Sequence, residues 1–127
     1  MCPCVAVVDD EAAIVELLCE LLQEAGYRTI YFRDVGAARA SIARAQPDLV
    51  ILDIRIGHGT DGWDLLRELR ESPATGRIPV MVSTADAHFV RQHEEALLRY
   101  GVDVLAKPFD IDAVITKVGL ATGLALP

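Results

Sequence analysis

The sequence predicts an α/β domain: a five-stranded parallel sheet with helices on both faces. Short runs of Val, Ile and Leu alternate along the chain with segments whose apolar residues recur every three or four positions. The short runs show little apolar–polar alternation, the pattern of strands buried on both faces. The length agrees, since 127 residues is the size of one domain, with a core spanning roughly residues 4–122.

Each element has a local reason. Residues 4–9 form the first strand, an apolar run ending in acids. Residues 11–25 form a helix, because Ile14, Leu17, Leu18, Leu21, Leu22 and Ala25 share one face, and Gly26 stops it. Residues 28–32 are the second strand. Asp34 suits the N-cap of an Ala-rich helix running to residue 44. Pro47 breaks the chain before a third strand at 48–53. A glycine-rich loop over 57–62 precedes a helix at 63–71, ended by Pro73 and Gly76. A fourth strand at 79–84, a helix at 86–100 closed by Gly101, a fifth strand at 102–106 and a helix at 110–122 complete the series. Trp63 opens the third helix half-buried, and Glu94 and Glu95 mark a solvated face.

Composition narrows the function classes. Twelve Lys and Arg stand against 19 Asp and Glu, a formal charge of −7. That argues against a basic nucleic-acid footprint and against docking on an anionic membrane. No apolar run approaches the ~20 residues of a membrane helix. The first residues have no basic segment, so no signal peptide is expected. Three cysteines do not make a disulfide framework, which points to a reducing cytoplasm. Cys2 and Cys4 read as a frayed terminus and a buried strand residue rather than a metal pair, and Cys19 as a small packing residue.

In parallel sheets of this kind ligands bind beyond the carboxyl ends of the strands. Those ends carry Asp9, Asp10 and Glu11 after strand one, Asp53 after strand three, Ser83 and Thr84 after strand four, and Lys107 and Pro108 after strand five. Converging carboxylates repel, so one keeps a proton or a cation neutralises them. Oxygen ligands in small number favour Mg²⁺ over Ca²⁺. A cation, a lysine and a hydroxyl around one carboxylate would hold a dianionic phosphoryl group, and that carboxylate could be the nucleophile that takes it.

The segments Val7-Val8-Asp9-Asp10-Glu11, Val50-Ile51-Leu52-Asp53, Asp61-Gly62, Val82-Ser83-Thr84-Ala85 and Lys107-Pro108-Phe109 together resemble the receiver domain of bacterial response regulators. Nearly the whole chain takes part. The resemblance implies a doubly wound, flavodoxin-like sheet of order 2-1-3-4-5. It implies that Asp53 accepts the phosphoryl group and that Asp9, Asp10, Asp53 and the Arg55 carbonyl hold Mg²⁺. Thr84, the Ala85 N–H and Lys107 would contact the phosphoryl oxygens. The donor would be a phosphohistidine on a sensor histidine kinase or phosphotransfer domain, and loss would be by water attack. The protein would be a switch for an unknown output partner rather than an enzyme acting on other molecules.

Three departures matter. Receivers usually carry Tyr or Phe where this chain has Val104, so no ring can swing there. Phe89 and Tyr100 are candidate substitutes, although ordinary backbone coupling is preferred. The loop after Asp53 lacks the usual Pro, carries Gly57 and Gly59, and reaches its Gly62 one residue late; His58 in it reads as a solvated side chain. Arg55 and Asp86 flank the pocket mouth and are expected to meet over it, tuning water access. Lys117 is the sole basic residue of the last helix, too little for a salt-bridged dimer face; this sequence encodes no output domain after it, so it reads either as a stand-alone receiver or as one domain of a longer regulator or hybrid kinase.

Rival classes fare worse. An aspartyl phosphatase wants a second Asp where Arg55 stands. A flavin carrier wants a hydroxyl- and Gly-rich loop where Asp10-Glu11 stands. A phosphorylation-independent scaffold stays open because of Val104, against the complete set Asp9, Asp10, Asp53, Thr84 and Lys107.

Overall fold

The computed structural model describes residues 2–56 and 61–123. Its elements run β1 (Cys4–Val8), α1 (Ala12–Glu24), β2 (Arg28–Phe32), α2 (Val35–Ala45), β3 (Leu49–Asp53), α3 (Asp61–Glu71), β4 (Val80–Thr84), α4 (Ala87–Gln92), α5 (Glu94–Tyr100), β5 (Asp103–Ala106) and α6 (Ile111–Thr122). The strands form one parallel sheet in the order β2-β1-β3-β4-β5. The α/β class and the helices on both faces are as the sequence predicts, and the strand order is the one the resemblance implies.

Strand alternation divides the core in two. Val5 and Val7, Leu49 and Ile51, and Met81 pack with Val15, Leu18, Leu22, Val114 and Val118 of α1 and α6. Ala6 and Val8, Val50 and Leu52, and Val80 and Val82 pack with Ala38, Ile42, Leu65, Leu66 and Leu97 on the opposite side. Because β1, β3 and β4 are buried throughout, neither face tolerates a polar residue until the strands end. Acids can therefore appear only there, and they do.

The caps follow the sequence closely. The Asp34 side chain accepts from the Ala37 N–H at 2.7 Å, and Gly26 follows α1 at φ +98°. Gln46 ends α2 in the left-handed region at φ 48°, and its amide donates to the carbonyls of Ala43 and Ala74.

One expectation fails. The helix expected over 86–100 is two helices, broken at His93, whose φ and ψ are −112° and 19°. The His93 ring stacks on Phe89 with centroids 4.0 Å apart and lies 5.1 Å from the ring of Trp63. Its Nδ1 is 2.9 Å from the Phe89 carbonyl. Tertiary ring packing outweighs local helix continuity at that point. Elsewhere strand and helix ends shift by one or two residues. Among the described residues no helix is long and apolar enough to cross a membrane. The expectations for Gly57, His58 and Gly59 fall outside the described residues.

Candidate functional site

The open end of the sheet holds a cleft of about 520 Å³ lined by Asp10, Glu11, Asp53, Arg55, Thr84, Ala85, Asp86 and Lys107. Asp9 lies beside it, 1% exposed, with Asp53 7% and Thr84 5% exposed. The backbone sets this arrangement. The Asp9 N–H is bound by the Phe32 carbonyl, the Ile54 N–H by Ser83 and the Lys107 N–H by Thr84. Sheet pairing thus continues one residue past the strands and ties the end of β1 to β2 and the ends of β3 and β5 to β4. The Lys107–Pro108 peptide is cis.

Carboxylate oxygens of Asp9, Asp10 and Asp53 all lie within 4.8 Å of one another. Lys107 reaches into them, with Nζ 2.9 Å from Asp9 Oδ2, 3.5 Å from Asp53 Oδ2 and 3.8 Å from Glu11 Oε1. Backbone amides satisfy the other oxygens: Glu11 N–H donates to Asp9 Oδ1 at 2.9 Å and Arg55 N–H to Asp53 Oδ1 at 3.0 Å.

Burial pushes Asp53 above the usual carboxylate range; the Arg55 N–H and Lys107 pull it down, and the charge of Asp9 adds to the rise. Burial alone would lower Lys107, but the hydrogen bond to Asp9 and the charges of Asp53, Asp9 and Glu11 outweigh it and raise the ammonium's pKa. One lysine faces three nearby acids, with Asp10 beside them. An all-oxygen donor set with excess negative charge fits a hard divalent cation such as Mg²⁺.

At the mouth, Arg55 Nη1 and Asp86 Oδ2 lie 3.0 Å apart. Thr84 Oγ1 accepts from the Asp86 N–H at 3.0 Å. The structure therefore brings Asp9, Asp10, Asp53, Arg55, Thr84, Ala85, Asp86 and Lys107 to one cleft. Val104 lies outside it, half-buried on β5 and paired with Val82 of β4.

Two residues here were named from sequence but given no role. Glu11 approaches Lys107, a role its adjacency to Asp9 and Asp10 hinted at. Gly62 packs its Cα against the chain carrying Asp53: a Cβ there would stand 2.3 Å from the Asp53 carbonyl oxygen and 2.7 Å from that of Ile54. Its late position in the loop does not prevent α3 from resting directly on the end of β3.

Known proteins resemble this chain in sequence and fold. Residues 5–119 match the response regulator receiver domain. Sporulation initiation phosphotransferase F of Bacillus subtilis is 30% identical over 112 residues, covering 87% of this chain and 86% of that protein. The DNA-binding dual master transcriptional regulator RpaA of Synechocystis is 30% identical over 116 residues, covering 91% of this chain and 47% of that protein. The chain thus spans about half the length of curated relatives such as RpaA. The receiver domain of a Pseudomonas aeruginosa sensor histidine kinase, solved with magnesium in its active-site cleft, superposes with a TM-score of 0.83 at 27% identity, covering 97% of this chain and 99% of that one. With the sheet order, the acidic cleft and a match over most of its length in agreement, the chain belongs to the response regulator receiver domain family of two-component signalling.

Proposed function

We propose that Asp53 is a phospho-acceptor that takes a phosphoryl group from a phosphohistidine on a sensor kinase or phosphotransfer domain and thereby switches a protein-binding surface. The observation that carries this reading is the gathering of Asp9, Asp10 and Asp53 around Lys107 at the end of the sheet. An Asp53 oxygen attacks phosphorus, the P–N bond of the donor breaks, and the histidine leaves. Mg²⁺ would be held by Asp9, Asp10, Asp53 and the Arg55 carbonyl, and would supply charge neutralisation for the transferring group. Lys107 pairs with one phosphoryl oxygen, and the Thr84 hydroxyl and Ala85 N–H donate to others. Reversal by water breaks the P–O bond and releases phosphate. The whole of residues 1–127 serves as one receiver, working in the cytoplasm beside its donor.

Relatives support the reading: one is a phosphotransferase of a sporulation pathway by name, and a receiver of the same fold holds magnesium. Intact-mass spectrometry after incubation with Mg²⁺ and acetyl phosphate, then with a phosphohistidine donor, tests it. One added phosphoryl group on wild type and none on Asp53→Asn is expected. No addition from either donor overturns it and leaves a phosphorylation-independent scaffold.

Arg55 and Asp86 form a clasp over the mouth that controls water entry. Both side chains are substantially exposed, so the pair contributes only about 0–1 kcal/mol of stability and its effect is on rate. Arg55→Ala should change the phosphoryl half-life several-fold, read by the decay of the phosphorylated mass; an unchanged decay rejects the clasp.

A further inference from the structure

We propose that phosphorylation is reported along α4 to the α3 face, by a relay from Thr84 through Asp86 and Phe89 to Trp63, rather than along β5; this rests on the phospho-acceptor reading above.

Val104 supplies β5 with a short aliphatic side chain. A continuous set of contacts instead leads the other way. Thr84 Oγ1 holds the Asp86 N–H at 3.0 Å, and Asp86 Oδ1 caps α4 by accepting from the Phe89 N–H at 2.9 Å. Asp86 Oδ2 holds Arg55, whose guanidinium carbon sits 5.6 Å over the Phe89 ring. Phe89 stacks on His93 at 4.0 Å and meets Trp63 edge-on at 5.8 Å. Trp63 is on α3 and also touches Tyr100, the last residue of α5, at 6.0 Å.

The element that carries these contacts is weakly held. α4 has six residues, none of them buried. A helix so short has little stability of its own. Its anchors are the Asp86 cap at one end, the half-buried Val90 against the core and the ring cluster around Phe89.

A dianionic group on Asp53 acts on both anchors of Asp86. It attracts the Thr84 hydroxyl, which carries the Asp86 N–H. It also competes with the Asp86 carboxylate for the Arg55 guanidinium. Either pull disturbs the residue that caps α4, and Phe89 moves against Trp63. The surface that changes is then the α3–α4 face.

The chain has a single tryptophan, so its emission reports this junction alone. Wild type and Phe89→Leu are treated with Mg²⁺ and a phosphohistidine donor. Intact mass, Trp63 emission and amide hydrogen exchange are read from the same samples. Expected for wild type is one added phosphoryl group, a changed Trp63 emission and faster exchange over residues 87–92, with 103–106 unchanged. Phe89→Leu should take the phosphoryl group equally and lose most of the emission change. His93→Ala, which keeps Phe89, should at least halve it. Phosphorylated wild type with silent Trp63 and unchanged α4 exchange overturns the relay and leaves the phospho-acceptor reading standing. So does a response confined to β5, or a full emission change in Phe89→Leu. Absence of any mass gain overturns both.

Discussion

The ends of β1 and β3 and the helix that follows β4 face the same cleft but are built in opposite ways. Asp9 and Asp53 are almost wholly buried, carried on strands with no exposed residue and pinned by amides and Lys107. Six-residue α4 has no fully buried residue and is held by a cap, an exposed ion pair, a few rings and the half-buried Phe89 and Val90 against the core. Fixing like charges side by side needs a rigid scaffold, because relaxation would let them separate. Reporting an event needs an element whose two positions differ little in free energy. The molecule places the chemistry on the first kind of structure and, by our reading, the signal on the second.

Breaking the rigid region should cost most. Gly62→Ala sets a methyl group against the Asp53 and Ile54 carbonyls, where backbone cannot yield cheaply. A loss of about 3 kcal/mol is expected in urea unfolding, with weakened cation binding because α3 is pushed off the end of β3. A loss below about 0.5 kcal/mol would mean that this end of the sheet is soft.

The charge concentrated there is the next test. Asp53 has a raised pKa in the folded chain. Its contribution to stability is therefore complete below the ordinary carboxylate value and is lost as pH rises through the folded value, where an ionised group must be kept buried beside Asp9. Asp53→Asn removes that penalty. In metal-free buffer near neutral pH it should be more stable than wild type by about 0.5–2 kcal/mol. The gain should vanish in acid and shrink when Mg²⁺ is added. Equal stability of the two proteins at every pH would show that Lys107 already neutralises the cluster.

On the weak side the effects should be small and local. Asp86→Ala removes the cap of α4, about 1 kcal/mol, and should speed hydrogen exchange over residues 87–92 while leaving β1 and β3 protected. Protection lost across the sheet would erase the contrast between the regions. Smallest is Ser83→Ala. Its buried hydroxyl has no hydrogen-bond partner among the described residues, so removal should change stability by less than about 1 kcal/mol, toward greater stability. A clear loss would place an unseen water or ion beside Asp53.

Much of this was legible in the chain. Periods of three to four residues against unbroken Val, Ile and Leu runs identify the helices and strands, since burial on one face or two leaves different signatures. Asp34 and Gly26 mark a helix start and stop because backbone groups there need a local partner or a positive φ. The strand-end residues Asp9, Asp10, Asp53, Thr84 and Lys107 stand out because charges interrupt runs that are otherwise wholly apolar. The strand order itself came from the family resemblance.

What the chain did not reveal depends on residues far apart in sequence. The break at His93 follows from rings on α3, α4 and α5 meeting, and no periodicity within 86–100 contains that contact. The need for glycine at 62 arises from how closely α3 approaches the Asp53 carbonyl, a distance set by packing rather than by a turn. The balance at Lys107 depends on whether its ammonium leans on Asp9 at 2.9 Å or Asp53 at 3.5 Å. Local interactions decide which residues form an element, and the sequence by itself determined those elements, their boundaries to within a residue or two and the identity of the acidic set. Distances between elements depend on how whole faces interlock, so only the tertiary structure decided the helix break, the close approach at Gly62 and the ring path that leads from the cleft to Trp63, whereas the meeting of Arg55 with Asp86 was already expected from their places two residues past Asp53 and Thr84.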